Sequence, residues 1–321
     1  MRRWTRSQTC AAAAVCLLSY LTVWDTAFAQ NSGKAAGPSA LQQAAVRAMA
    51  GRSGAAVVIG VATGKILAAY NLDVAARRLA LPGSSIKAFT LLALLEAGKI
   101  NQQTTLMCQR SLSLGGHNMD CTHPDMKQPF DPSTALAYSC NTYFATMATR
   151  LTPAELRDSF LKYGLGAPGG LAPNEAAGSV ALAGTQAELQ MQAIGEWGLR
   201  VTPLELLRGY QKLALLAPKH EAKLDPLFAG LVGSTAYGMG HLAQPDDAMK
   251  VAGKTGTSLV EEAAWRHGWF AGYAPADNPE IALVVFLEKG NGPIDAAGLP
   301  RAISVAYATE RLQRVSAEAS R

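Results

Sequence analysis

Three short strings, in a fixed order, hold the side chains of this sequence best suited to chemistry: Ser84-Ser85-Ile86-Lys87, Ser139-Cys140-Asn141 and Lys254-Thr255-Gly256-Thr257. A hydroxyl and an amine three residues apart share one helix face, which puts a base within reach of a nucleophile. Ser84 follows Pro82-Gly83 and opens an apolar stretch, so it is expected at the first turn of a helix. Unpaired backbone N–H groups and the positive dipole end favour a developing negative charge there. Apolar neighbours that desolvate Lys87 would make its neutral, basic form accessible. A Ser and a Lys three apart arise about once by chance in a chain of this length, so the pair needs its context.

Side chains two apart diverge on a regular helix, so Ser139 and Asn141 can face one cleft only if the segment turns or begins a helix; a plain helix cap is the simpler alternative. On a strand, Lys254 and Gly256 share one face and Thr255 and Thr257 the other, and the glycine leaves room for a ligand against the backbone. An edge strand with a polar face would carry the same residues.

The elements that must position these groups follow from pattern. Ser39 caps a helix through Ala50 that is expected to bury Leu41, Ala45, Val46 and Met49 before Gly51. Residues 55–61 and 66–70 are apolar strands joined at Thr63-Gly64-Lys65, a β-hairpin at a sheet edge. From Ser84 to Ala97 the period turns helical, with Phe89, Leu91, Leu92, Leu94 and Leu95 on a broad apolar face that demands burial on most sides. Helical pattern returns over 136–150, 153–163 and 203–216. Strand pattern resumes over 251–257, 267–274 and 281–288, and a last helix from about Pro300 to Val315 is expected to pack through Ile303, Val305, Ala306, Leu312 and Val315. The fold class is therefore α/β of the α+β kind: an antiparallel sheet built from both ends of the chain, flanked by the N- and C-terminal helices, with an all-helical subdomain inserted between its second and third strands. A site would lie at that seam.

With 49% apolar and 17% charged residues in 321, the chain can bury a full core. At its start, Arg2, Arg3 and Arg6 precede an uncharged run to Trp24, and Ala27-Phe28-Ala29 offers small residues for cleavage. Residues 1–29 are read as a secretory signal and 30–38 as a tether, leaving 39–321 as the folded part; an uncleaved anchor is the alternative. Cleavage lowers the net charge from +5 to +3, too little to argue for nucleic acid. Export would place Cys108, Cys121 and Cys140 in an oxidising compartment. A disulfide between Cys108 and Cys121 is expected there, with a zinc site near His117 and His123, or free thiols, as alternatives, and the histidines otherwise read as surface loop residues. Trp197, Trp265 and Trp269 read as core or groove-wall aromatics.

Taken together, the three strings resemble the active-site set of penicillin-binding proteins and serine β-lactamases. Leu81-Pro82-Gly83-Ser84, the run from Ser139 to Phe144, Ile194 to Glu205, Val251 to Thr257 and His267 to Pro275 resemble the transpeptidase domain of class B penicillin-binding proteins. The likeness runs from about Gly54 to the last helix. Ser85-Ile86 stands where the family often has Thr-Phe, and only about 25 residues separate the signal from the first strand, where class B members typically carry a long pedestal domain. A role in a division or elongation complex is therefore not expected.

The resemblance implies a periplasmic serine-type D,D-transpeptidase or D,D-carboxypeptidase that acts on peptidoglycan stem peptides and is acylated by β-lactam antibiotics. It implies Ser84 as nucleophile, Lys87 as base and Ser139 as proton relay, with Asn141 holding Lys87 and a substrate amide. Lys254, Thr255 and Thr257 would bind a terminal carboxylate beside Gly256, and the backbone N–H groups of Ser84 and Thr257 would form the oxyanion hole. No cofactor or metal is implied. The competing readings are a serine β-lactamase and a non-enzymatic sensor of β-lactams or wall fragments. Asn141 resembles penicillin-binding proteins more than class D β-lactamases, which have an apolar residue there.

Overall fold

In the computed structural model, which describes residues 38–245, 249–260 and 263–320, the two ends of the folded chain meet in one sheet. Its strands are β1 (Gly54–Gly60), β2 (Ile66–Tyr70), β3 (Ala252–Leu259), β4 (Arg266–Ala274) and β5 (Ile281–Leu287), in the order β2-β1-β5-β4-β3. All four pairings are antiparallel, and β1 joins β5 in unbroken register from Gly54 opposite Leu287 to Gly60 opposite Ile281. The expected hairpin and edge position of β2 are both present. The opposite edge is β3, which carries Lys254 to Thr257.

The near-continuous apolar character of β1 and β5 has a direct cause, because both faces of the sheet are covered. Ala56 and Val58 face the layer made by Leu41, Ile303 and Tyr307 of the terminal helices Ala40–Ala48 and Leu299–Ala319 and by Met49, which caps the first. Ala55, Val57 and Ile59 face the larger core of the inserted segment. Ser39 caps the first helix as expected, with Oγ accepting from Gln42 N at 3.1 Å. Val46, Val305, Leu312 and Val315 do not join the core; they are exposed, because the contact stripe of each terminal helix is narrower than its apolar composition suggests.

The insertion between β2 and β3 contains the helices Lys87–Glu96, Pro132–Ala137, Asn141–Ala148, Pro153–Lys162, Gln186–Ile194, Pro203–Leu216 and Asp225–Ala236. It is not all helical, since Ser113–Leu114 pairs with His117–Asn118 and Ser179–Val180 with Leu199–Arg200. Lys87–Glu96 is its axis, buried from Lys87 through Leu95, as its broad apolar face required. Three helices begin with one device: Thr152, Thr185 and Thr202 each accept from the backbone N–H of a glutamate three residues on, and that carboxylate accepts from the threonine N–H in return. The signal and tether expectations, residues 1–37, lie outside the described residues. Among the described residues no helix is long and apolar enough to cross a membrane.

Candidate active site

Ser84 stands in a single 3-10 turn, Gly83–Ile86, and the α-helix begins only at Lys87. The tighter winding corrects the expected regular helix without separating the pair, because residues three apart eclipse in a 3-10 turn. Gly83, at φ +51°, makes the turn possible. Its surroundings demand glycine as well: a Cβ there would lie 2.3 Å from the carbonyl oxygen of Thr257. A Cβ on Gly256 would lie 2.5 Å from the Pro82 oxygen, and one on Gly195 2.1 Å from the Gly83 oxygen. Three glycines thus let three backbones pack without side chains between them, which sets Ser84 beside Thr257. The turn is pinned by Gly83 N donating to Gly195 O (3.1 Å), Tyr210 OH to Ser85 O (2.8 Å) and Trp269 Nε1 to Leu81 O (3.1 Å).

Across the cleft, the helical run expected over 136–150 is broken in two. Pro132–Ala137 ends at Tyr138, Ser139 adopts a left-handed conformation at φ +61°, and Asn141–Ala148 starts afresh with Cys140 as its N-cap. A left-handed non-glycine residue is held there by its surroundings, and it is what brings Ser139 and Asn141 to one side. Lys87 bridges the two walls. Its Nζ donates to Ser139 O at 2.8 Å, to Ser139 Oγ at 3.3 Å and to Asn141 Oδ1, and lies 5.6 Å from the centre of the Phe144 ring. Burial in this apolar setting pushes the Lys87 amine down to about 8, opposed by nearby thiols and by Glu196. Asn141 Nδ2 donates to the carbonyls of Met119 (2.8 Å) and Asp120 (3.3 Å).

Ser84, Ser139, Asn141, Thr255 and Thr257 line one cleft of about 650 Å³, a size suited to a small ligand. Lys254 is not among its lining residues. It is fully buried, its Nζ donates to Thr255 O at 3.0 Å, and burial, with Lys87 nearby, holds its amine well below the usual range. Gly256 lies against the Ser84 turn instead. Thr257 Oγ1 accepts from Gly292 N at 2.9 Å, so the segment after β5 closes that end, with Asn291, Pro293 and Ile294 in the wall.

The sequence reading passed over Glu196. Its half-buried carboxyl lines the same cleft, accepts from Leu259 N at 3.3 Å and is pushed up to about 7 by burial, with the Leu259 N–H, Arg266 and Lys87 opposing. A glutamate beside Trp197 in an apolar run was its one available signal. Trp269 is buried as expected, whereas Trp265 is exposed with Lys289 over its ring.

The cysteines depart furthest from expectation. Cys108 and Cys121 are free thiols, and they gather with His123 and with Cys140 of the second string. His123 is 1% exposed, a core residue rather than a surface one; His117 is exposed and outside the group.

Comparison with known proteins places these features in a family. The model for the penicillin binding protein transpeptidase domain matches residues 54–309. Peptidoglycan D,D-transpeptidase PbpA of Mycobacterium tuberculosis is 26% identical over 258 residues, covering 68% of this chain and 51% of the relative. Peptidoglycan D,D-transpeptidase FtsI of Buchnera aphidicola is 25% identical over 284 residues, covering 74% and 49%. The chain thus spans about half the length of these curated relatives. Among solved structures, Pseudomonas aeruginosa PBP2 superposes with a TM-score of 0.74 at 24% identity, over 83% of this chain and 76% of that one. A peptidoglycan glycosyltransferase from Burkholderia ambifaria gives 0.73 at 22% identity, over 86% and 94%.

Proposed function

Because the chain belongs to the penicillin-binding protein transpeptidase domain family, we propose that it is a serine-type peptidoglycan D,D-transpeptidase whose acyl-enzyme forms on Ser84. The observation that carries this is that Ser84, Ser139 and Asn141 line one cleft, while Lys87, buried three residues on from Ser84, reaches Ser139 and Asn141. Ser84 Oγ attacks the carbonyl carbon of the penultimate D-alanine in a stem peptide while Lys87 Nζ, neutral in a substantial fraction of molecules near pH 8, takes the hydroxyl proton. The oxyanion forms against the Ser84 and Thr257 backbones, where two N–H donors contribute a few kcal/mol, about 3 each in comparable acyl transfers. The C–N bond to the terminal D-alanine then breaks, and Ser139 passes the proton to the leaving amine.

Thr255 and Thr257 receive the terminal carboxylate directly, and Lys254, buried near Lys87 on the face of β3 that it shares with Gly256, supports them. An amine of a second stem peptide attacks the Ser84 ester and restores the hydroxyl. β-Lactams acylate the same oxygen, and the working location is extracytoplasmic, where the polymer is built. Glu196 supports a hydrolytic branch, carboxypeptidase action, in which its carboxylate takes a proton from a water in the cleft.

The test is D-alanine release from a stem-peptide mimic in the presence of rising concentrations of a suitable amine. Amide product that outgrows free acid as the amine rises supports the transpeptidase. Steady turnover of a chromogenic cephalosporin at about 1 per second or faster, an ordinary enzymatic rate, would make the chain a β-lactamase instead.

A further inference from the structure

We propose that Cys108, Cys121, Cys140 and His123 bind one Zn(II) tetrahedrally, and that this ion fixes the turn that carries Ser139 and Asn141. The three sulfurs and the imidazole nitrogen all lie within 4.8 Å of one another. With Zn–S about 2.3 Å and Zn–N about 2.0 to 2.1 Å, two sulfurs of a tetrahedral site stand about 3.8 Å apart and a sulfur and nitrogen about 3.6 Å. Cys121 Sγ and Cys140 Sγ are 3.8 Å apart, and Cys108 Sγ lies 3.5 Å from His123 Nε2. A disulfide would need its sulfurs at about 2.05 Å. The four groups hold the spacing of ligands about one shared centre rather than that of bonded partners.

The surroundings repeat the argument independently. His123 Nδ1 lies 2.7 Å from the Pro124 carbonyl, which can only accept, so Nδ1 carries the proton and Nε2 presents its lone pair to the sulfurs. Each sulfur accepts from one backbone N–H: Cys108 from Arg110 (3.3 Å), Cys121 from Thr142 (3.4 Å) and Cys140 from Tyr143 (3.4 Å). Two of those donors belong to the start of helix Asn141–Ala148, a setting that favours thiolates. Arg110 donates in turn to the His123 carbonyl at 2.7 Å. Three thiolates with one imidazole, largely buried, make a closed donor set with no position left for water, which suits a structural zinc rather than a hydrolytic one.

The consequence for the cleft is geometric. Cys140 is the residue between Ser139 and Asn141, and the loop that supplies Cys121 also offers the Met119 and Asp120 carbonyls to Asn141. A Zn(II) bonded to both segments would hold Ser139 in its left-handed conformation and keep Asn141 Oδ1 on Lys87. The metal touches no reacting atom, and Cys140 is a positioning residue. This second clause rests on the transpeptidase reading; the binding of zinc does not.

The full chain, purified without reductant and freed of loosely bound ions, should carry about one zinc per molecule by elemental analysis. Replacement by Co(II) should give the thiolate charge-transfer and tetrahedral ligand-field bands, diminished in Cys108→Ser and His123→Ala. Wild-type protein needs no variant to decide the matter: a bridge mapped among Cys108, Cys121 and Cys140 would mean a disulfide, and free thiols at all three with no metal would mean no site. Iron or copper in place of zinc would overturn the assignment too. For positioning, stripping the zinc with a strong chelator should slow acylation of Ser84 by labelled penicillin about tenfold or more, the scale of metal-site perturbations. The far-ultraviolet circular dichroism should stay constant, and added Zn(II) should restore the rate. An unchanged rate in verified metal-free protein would overturn the positioning role. Failure of Ser84 to acylate in any metal state would count against the transpeptidase reading alone.

Discussion

The two walls of the cleft are built by opposite means. On the sheet side, the Ser84 turn meets β3 backbone to backbone through Gly83, Gly195 and Gly256, with its carbonyls held by Tyr210 and Trp269. On the helical side, Ser139 and Asn141 hold a turn that the backbone alone disfavours, fixed by Lys87, by two loop carbonyls and by the thiol and imidazole group around Cys140. The first wall is rigid because it has no room to move. The second is held by charged and soft donors, so it is the wall that pH and metal chemistry can reach.

The sharpest break in this contrast is Gly256→Val. With a Cβ 2.5 Å from Pro82 O and 2.9 Å from Ser85 N, it should abolish acylation and destabilise the chain by roughly 3 kcal/mol or more, the upper range for overpacking a full interior. Gly98, at φ +64° with nothing within 4 Å, isolates the conformational cost: Gly98→Ala should cost about 1 kcal/mol in urea unfolding and leave acylation intact. Equal effects of the two changes would erase the close-packed wall as an idea.

The second wall should answer to pH. The acylation rate constant should climb as pH rises through about 8, since the base form of Lys87 grows through that range. In Asn141→Ala the ammonium loses an acceptor that favours its charged form, so the midpoint should move lower, while the rate above it falls roughly tenfold through lost positioning. Stopped-flow profiles of both proteins read this directly. A midpoint that rises in the variant would contradict the bridging role of Lys87.

Glu196 should give the smallest effect. Burial raises its carboxyl to about 7 in the folded chain, so the stability it contributes is full below the unfolded value near 4.5 and is lost as pH rises through about 7. Thermal unfolding should therefore show wild type losing roughly 1 kcal/mol relative to Glu196→Gln between pH 4.5 and 7.5, after allowance for solvent screening of a half-buried group. Parallel curves would mean the carboxyl titrates as though in water.

The contrast also explains what could be read in advance. The sheet, its edges and the buried Lys87 helix were legible because period and composition are local, whereas Gly256, read as room for a ligand, packs against the Ser84 turn. Ser139 was legible only as a condition, that the segment must turn. The break itself depends on contacts from residues 108 to 123, a distant loop with no periodicity. The same distance hid the grouping of Cys140 with Cys108, Cys121 and His123, since spacing along the chain suggested only the nearer pair. Lys254 shows a different limit: alternation assigns a face of the strand, but not which face the cleft uses. Exposed Val46 and Leu312 show the limit of composition on terminal helices, where one packed stripe suffices.

Ser84 as the acylated residue is tested most directly by labelled benzylpenicillin, intact-mass analysis and peptide mapping. One penicilloyl group should add to the chain, persist well beyond the time of its formation, map to the peptide containing Ser84 and be absent from Ser84→Ala. An adduct that survives the substitution, or maps to any other peptide, would contradict it.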